Sequence, residues 1–374
     1  MSQPWFLRME CRYFGSCGSC SLYEIPYSKQ IEDKKEYIKE LFSLEKFDFF
    51  VSKDVHYRGR AEFRIWHEGQ KIYYGMHRLD NKSILKIDEC PKVDAQIYSL
   101  MPKLINELES SDELKDGLYA IEFLSSVDSV LVTLIYHKKI GMKWKNEAKR
   151  LEDKFDLFVI GRARKIKEVL TQDFIIETLQ VGDAKYRYKI IEGGFSQPNR
   201  SVNEKMIEWV CSHVQNSFDL LELYCGHGNF TLPLSSKFTR VLATEISKTS
   251  IKSAIYSCSL NNITNIKFLR MSVEELTSAL KKEREFNRLK DVELDSYNFS
   301  HVFVDPPRAG MDKKSLEFIA AFENIIYISC NPLTLKRDLE FLIKEFDVVD
   351  FAIFDQFPHT NHIESGIILR KKDN

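Results

Sequence analysis

The 374-residue sequence has no apolar run approaching the roughly 18 residues that cross a bilayer. Its start, MSQPWFLRMECR, shows no apolar block of a secretory leader. Both absences predict a chain that works in the cytoplasm and not on a membrane. Charge of one sign is also lacking, since 54 Lys and Arg stand against 55 Asp and Glu. The field of the whole molecule therefore cannot hold an anionic polymer, which would need local basic patches. No disulfide framework is expected from eight cysteines in a reducing compartment. A phosphate loop is missing too, because no glycine-rich turn runs into Lys-Ser or Lys-Thr. Nothing calls for an obligate protein partner. What is present is the composition of a soluble globular protein, 44% hydrophobic and 29% charged, at a length comfortable for two domains.

Four cysteines are grouped. Cys11, Cys17 and Cys20 form C-x5-C-x2-C in the Gly/Ser-rich loop CRYFGSCGSC, and Cys90 recurs in DECPKVD. Glycine and serine let a loop wrap a metal centre, and a proline after the fourth cysteine is common beside iron–sulfur ligands. Zinc sites more often offer two matched C-x2-C pairs. On spacing, a 4Fe-4S cluster, a zinc ion and a set of reduced thiols all stay open. Any metal would be structural, since nothing adjacent resembles redox machinery.

Residues 26 to 45 read as an amphipathic charged helix and about 50 to 190 as strand-rich. There, Arg60, Glu62, Arg64 and Trp66 alternate with Ala61, Phe63 and Ile65, and HEGQ turns the chain into KIYYGMHR. Arg58, Arg60 and Arg64 with Tyr57, Trp66 and His67 suit phosphate contact plus base stacking. An ordinary hairpin with a solvated basic face is the plainer alternative. Two further clusters, Tyr136-His137-Lys138-Lys139 and Arg162-Ala163-Arg164-Lys165, tilt this half towards RNA.

From FSQPN onward the pattern alternates strand and helix, which predicts an α/β fold with a doubly wound parallel sheet. The first helix is expected near Ser201, with Glu204 completing a capping box. The buried strand LLELY ends in Cys225-Gly226-His227-Gly228-Asn229, where Gly226 and Gly228 permit a tight turn and close backbone approach to a nucleotide-like ligand. The next strand, RVLAT, ends in Glu245, whose carboxylate suits two ribose hydroxyls. Without a third glycine a pyrophosphate is disfavoured. That leaves an adenosyl group, with S-adenosylmethionine the natural candidate and other Rossmann-like uses still open. Cys225 and Cys258 read as small core residues.

The chemistry concentrates downstream. One apolar strand ends in Asp305-Pro306-Pro307, and a second, Asn324 to Ser329, delivers Cys330 just before Asn331-Pro332. Strand ends of this kind open into one crevice. The charged segment 275 to 300 is either a solvated face or, through Arg284, Phe286, Asn287 and Arg288, a substrate entrance. DQFPHTNHIESG crowds His359, His362 and Glu364, which read as a metal-like cluster, a polar turn, or a base at Glu364 facing the cysteine. Carbon 5 of uracil is a poor nucleophile. A thiolate adding to carbon 6 makes it an enolate carbon able to attack a methyl group, and a carboxylate then removes the proton left on carbon 5. A stacked target base would have to be flipped out.

FSQPN, LELYCGHGNF, ATE, DPPRAGMD, ISCNPLTL and DQFPHTNHIESG, in this order, resemble the motif run of the RNA uridine-C5 methyltransferases. RAEFRIWHEG and REFNRLK resemble their tRNA (uracil-5-) branch. The resemblance implies a class I, Rossmann-like methyltransferase domain at 189–374, a strand-rich α+β RNA-binding domain at 26–188, and a cysteine-rich loop at 1–25 completed by Cys90. It implies that Gln197, Tyr224, Asn229, Glu245 and Asp305 contact S-adenosylmethionine, that Cys330 is the nucleophile, and that Glu364 accepts the proton. The implied product is 5-methyluridine in the T loop of tRNA, with the tRNA-like part of tmRNA as a further substrate.

The quartet Cys11, Cys17, Cys20 and Cys90 departs from many tRNA-branch members and resembles the iron–sulfur ligands of the ribosomal-RNA branch. Against that branch, only ten residues precede Cys11, too few for an OB-like domain. The tRNA reading is kept, with a ribosomal-RNA methyltransferase as the alternative. An amino-group methyltransferase would place an aromatic where Arg308 follows the two prolines, and a non-catalytic RNA-binding module would need neither Cys330 nor Glu364.

Overall fold

The apolar runs of the second half become the middle of an eight-stranded sheet. In the computed structural model, which describes residues 10–81, 83–215 and 217–373, its spatial order is Asp48–Phe50, Phe346–Phe354, Glu364–Lys371, Asn324–Ser329, Phe299–Val304, Asp219–Leu223, Arg240–Thr244 and Ile266–Leu269. Neighbours are parallel except around Glu364–Lys371, which runs against both of its partners. Alternate residues of each strand enter opposite cores. Leu220, Val241, Phe303, Ile326 and Ile368 pack on one face, while Leu221, Leu242, Val302, Ile325 and Ile367 pack on the other. Both faces are covered, so these strands carry near-continuous apolar runs.

The first half builds a seven-stranded sheet in the order Ile84–Ile87, Lys71–His77, Arg60–Glu68, Leu118–Ser125, Val130–Tyr136, Phe158–Ala163 and Ile166–Val169. The hairpin expected at HEGQ is present, with Phe63 and Ile65 buried and Trp66 exposed. Helices Ala95–Ser110 and Met142–Phe155 cover one face through Ile97, Met101, Leu104, Trp144 and Leu151. Among the described residues no helix is long and apolar enough to cross a membrane.

Parts of the segment 26–188 pack with the eight-stranded sheet of the second half. Helix Tyr27–Phe42 puts Ile38 into the core of the eight-stranded sheet, and Asp48–Phe50 forms that sheet's edge. Hairpin Phe174–Val181 and Ala184–Ile191 likewise packs Ile175, Leu179, Tyr188 and Ile190 into the other core of that sheet. The capping box expected at Ser201 does not form. Helix Arg200–Ser212 is capped by Asn199, whose side chain accepts from Val202 N, while Glu204 accepts from Gln180 N.

Candidate active site

At the carboxyl edge of the eight-stranded sheet, a cavity of about 650 Å³ is lined by Gln197, Tyr224, Gly226, Asn229, Glu245, Asp305, Cys330 and Glu364. Cys330 directly follows the strand Asn324–Ser329. The next residue, Asn331, caps helix Pro332–Leu342 by accepting from Leu333 N at 3.1 Å. The thiol thus stands between a strand end and the positive end of a helix. On the adjacent strand Ser365 pairs with Ser329, and the same antiparallel register carried one residue further sets Glu364 opposite Cys330. Glu364 lies at this edge because its strand runs backwards, so that its first residue meets its neighbours' last.

Uncompensated acidity marks the cavity. Burial lifts Glu364 well above the ordinary carboxylate range, and the charge of Asp305 adds to the rise. Burial alone pushes Asp305 up to about 7. The Cys330 thiol is raised to about 11 by burial, then by Glu364 and Asp305, against smaller pulls from a backbone N–H and Arg308. Groups held neutral in this way gain by the arrival of a positive charge.

The turn after Asp219–Leu223 forms the opposite wall. Tyr224 holds a left-handed backbone at φ 61°, which costs a residue with a Cβ about 1–2 kcal/mol. Gly226 and Gly228 follow at φ 56° and 90°. A Cβ on Gly226 would meet nothing within 4 Å, leaving bare backbone against the cavity. Gly228 does not line the cavity, and a Cβ there would stand 2.6 Å from Leu232 Cδ1, so it serves the packing of the turn. Glu245 accepts from Gly226 N at 3.2 Å and Ser247 N at 2.7 Å, one bond on each oxygen, which leaves each a second lone pair. The Asn229 amide is engaged with the Asn203 amide in two hydrogen bonds of 2.8 and 2.9 Å. Gln197 Oε1 is buried with no hydrogen-bond partner among the described residues.

Two lining residues were not singled out from sequence. Glu222, in the middle of LLELY, is 1% exposed, and its Oε2 has no hydrogen-bond partner among the described residues. Burial pushes it up to about 8, against the Thr231 hydroxyl beside it, and Asp305 adds to the rise. The only trace in the sequence is a carboxyl between leucines, which does not break the apolar run. His227, in the glycine turn, is pushed down to about 4 by burial.

The grouped cysteines meet elsewhere. Cys11, Cys17, Cys20 and Cys90 line a separate cavity of about 420 Å³, together with Phe357, Thr360 and His362. All four are free thiols. Burial raises Cys11, Cys20 and Cys90, and the neighbouring thiols add to each rise, while Lys92 pulls Cys20 and Cys90 down. Among the described residues no group of three or more His, Cys, Asp or Glu side chains is drawn together tightly enough to hold a metal ion.

The expected RNA-facing constellation is divided. Tyr57 is buried, with its hydroxyl donating to Pro358 O at 3.1 Å, and Tyr136 is buried with its hydroxyl on Leu114 O, so neither is free to stack on a base. Arg64 lies 4.0 Å over the Tyr119 ring, which stacks on His137. Arg162 pairs with Glu192 at 2.6 Å. Of the candidate entrance residues, Arg288 closes on Glu275 through two nitrogens at 2.9 and 3.1 Å.

A family model described as tRNA (Uracil-5-)-methyltransferase matches residues 26–372. The chain is 52% identical over 373 residues to the tRNA/tmRNA (uracil-C(5))-methyltransferase of Aliarcobacter butzleri, covering 97% of this chain and 99% of that protein. It is 50% identical over 367 residues to the protein of the same name from Campylobacter concisus, covering 97% and 100%. Among solved structures it resembles the Pyrococcus abyssi tRNA (uracil-54, C5)-methyltransferase bound to S-adenosyl-L-homocysteine. That likeness of fold has TM-score 0.73 and 20% identity, and it covers 94% of this chain and 85% of that one. With an active-site cavity of this make-up and relatives matched along nearly their whole length, the chain belongs to the tRNA (uracil-5-)-methyltransferase family.

Proposed function

We propose that the protein transfers a methyl group from S-adenosylmethionine to carbon 5 of a uridine in the T loop of tRNA, and to the matching position of tmRNA. The observation that carries this reading is Cys330 set opposite Glu364 in one cavity. The substrate reading is supported by relatives at about half identity that bear the name tRNA/tmRNA (uracil-C(5))-methyltransferase. The seven-stranded sheet is the RNA-binding part of this reading, and the cytoplasm its place of work.

The residues fit the cofactor. Gln197 Oε1 lacks a partner, Gly226 presents bare backbone, and Glu245 keeps lone pairs for a ribose. When bound, S-adenosylmethionine supplies an electrophilic methyl group and a positive charge. Asp305 and Glu364, held neutral by burial, can then ionise at lower cost, and the Cys330 proton is lost more readily. The Cys330 sulfur bonds to carbon 6, and the electron pair displaced from the ring double bond makes carbon 5 nucleophilic. Once carbon 5 carries the methyl group, Glu364 takes its proton. The sulfur–carbon bond then breaks and the double bond is restored.

With 5-fluorouridine tRNA and S-adenosylmethionine, a protein–RNA complex that survives denaturant is expected, because fluorine cannot leave as a proton. On ordinary tRNA, Glu364→Gln should accumulate the methylated adduct. A wild-type protein that forms no trapped complex refutes the scheme.

The quartet favours a second, structural group. Four free thiols spread around one cavity suit a 4Fe-4S cluster better than a lone zinc, whose ligands bond at about 2.3 Å and so crowd together. Cys11, Cys17, Cys20 and Cys90 would hold it. Anaerobically purified protein should show sulfur-to-iron charge-transfer absorbance with matching iron and sulfide, and colourless, iron-free protein rejects the cluster.

A further inference from the structure

Residues 355–363 join strand Phe346–Phe354 to Glu364–Lys371, so the shape of this connection sets where Glu364 begins. Its ends are paired, Phe354 against Glu364, but its middle is held by a different part of the chain. Gln30, on the buried side of helix Tyr27–Phe42, is 1% exposed and has its whole amide engaged. Its Oε1 accepts from His359 N at 2.9 Å. Its Nε2 donates to Ile25 O at 2.7 Å and to Leu22 O at 3.1 Å, and it meets His359 Nδ1 at 3.1 Å. Leu22 N returns a bond to His359 O at 3.0 Å. Tyr57 donates to Pro358 O, and Lys34 makes a buried ion pair with Asp355 at 2.6 Å. The anchored residue, His359, sits at φ 63°, a conformation that surrounding contacts must enforce.

The other wall of the connection is the cysteine segment. Phe14 packs its ring 5.8 Å from that of His359, and Phe357, Thr360 and His362 line the cavity of the four thiols. Leu22, which bonds His359, stands two residues beyond Cys20. The connection is therefore gripped between the first helix and the segment that carries three of the quartet cysteines.

We propose that Gln30 and the cysteine segment form a clamp whose task is to place Glu364, so that proton removal from carbon 5 depends on the clamp while methyl transfer does not. This rests on the reading of Glu364 as proton acceptor. Cys330 is supplied by a different strand and a different helix cap, and the hydrogen bonds of Gln30 go to Leu22, Ile25 and His359, not to either of these. Gln30 is thus a positioning residue, and its loss should resemble a mild form of Glu364→Gln.

The test uses the full chain and unsubstituted tRNA, and measures single-turnover methyl transfer and the amount of methylated protein–RNA adduct on denaturing gels. Gln30→Leu should keep methyl transfer within about threefold, lower turnover about tenfold or more, and accumulate the methylated adduct. Tyr57→Phe, which removes only the bond to Pro358, should shift the same balance by a smaller factor and decides the matter if Gln30→Leu does not fold. Loss of methyl transfer in step with turnover, or reduced turnover without adduct, overturns the clamp. Glu364→Gln is run alongside. If it accumulates no adduct, the role of Glu364 falls, and the clamp is then judged wrong for that separate reason.

Discussion

The molecule holds two cysteine cavities whose thiols share one environment and differ in their neighbours. Around Cys330 burial raises the thiol and two carboxyl groups raise it further. Around the quartet burial again raises Cys11, Cys20 and Cys90, but the added repulsion comes from other thiols and Lys92 offsets part of it. In each site the nearby cation, Arg308 or Lys92, offsets only part of the rise, and what the site admits follows from shape. One cavity is open beside a bare glycine turn and an unpartnered amide oxygen, which suits a small cationic ligand that comes and goes. The other is lined by four free thiols, the proposed seat of the cluster. Burial of a cysteine therefore says little about its role until the groups facing it are named.

Exchanging the thiols separates the two sites most sharply. Cys330→Ala should lower turnover by roughly 10^4-fold or more and form no complex with 5-fluorouridine tRNA. Cys17→Ala should lose bound iron yet still form that complex. If the two variants behave alike, the cavities are not distinct in function.

A smaller effect is expected from pH. With the Cys330 thiol raised to about 11, its thiolate fraction grows about tenfold per pH unit across the neutral range. Iodoacetamide labelling of Cys330 in cofactor-free protein, mapped by mass spectrometry, should rise in that proportion from about pH 7 to about pH 9. A plateau below about pH 9 would show that the thiol is not raised in this way.

The smallest effect concerns Glu222. Its carboxyl is shifted from the ordinary 4.5 up to about 8, so over that interval the native state keeps a proton that the unfolded chain has released. Its contribution to stability is thus fully present below pH 4.5 and is lost as pH rises towards 8. Urea unfolding of cofactor-free protein should weaken less between about pH 5 and about pH 8 in Glu222→Gln than in the wild type. Equal slopes would show that Glu222 ionises freely in the native state.

Much of this site was legible in the chain. The strands ending at Asp305 and Cys330, the glycine turn and Glu245 were readable because buried parallel strands are apolar runs with abrupt polar ends. Glu222 was hidden inside such a run, where a single carboxyl does not disturb the pattern. Tyr57 was misread as a base-stacking aromatic because a buried tyrosine with a satisfied hydroxyl looks the same in sequence as an exposed one. The helix start at Asn199 was displaced from Ser201 because either side chain can cap, and the backbone geometry chooses.

By itself the amino-acid sequence determined the reagents, namely one thiol on a turn, an acid after a short loop, a strained glycine turn and a set of spaced cysteines. These follow from local rules of residue type and spacing, which act over a few residues. Only the tertiary structure decided that the last strand runs backwards, bringing Glu364 across from Cys330. It also brought Cys90 to Cys11, Cys17 and Cys20, and sent the first helix to grip the loop before Glu364. Those pairings join residues dozens to hundreds apart, and they are chosen by how two cores close around shared strands, a choice that no local pattern contains.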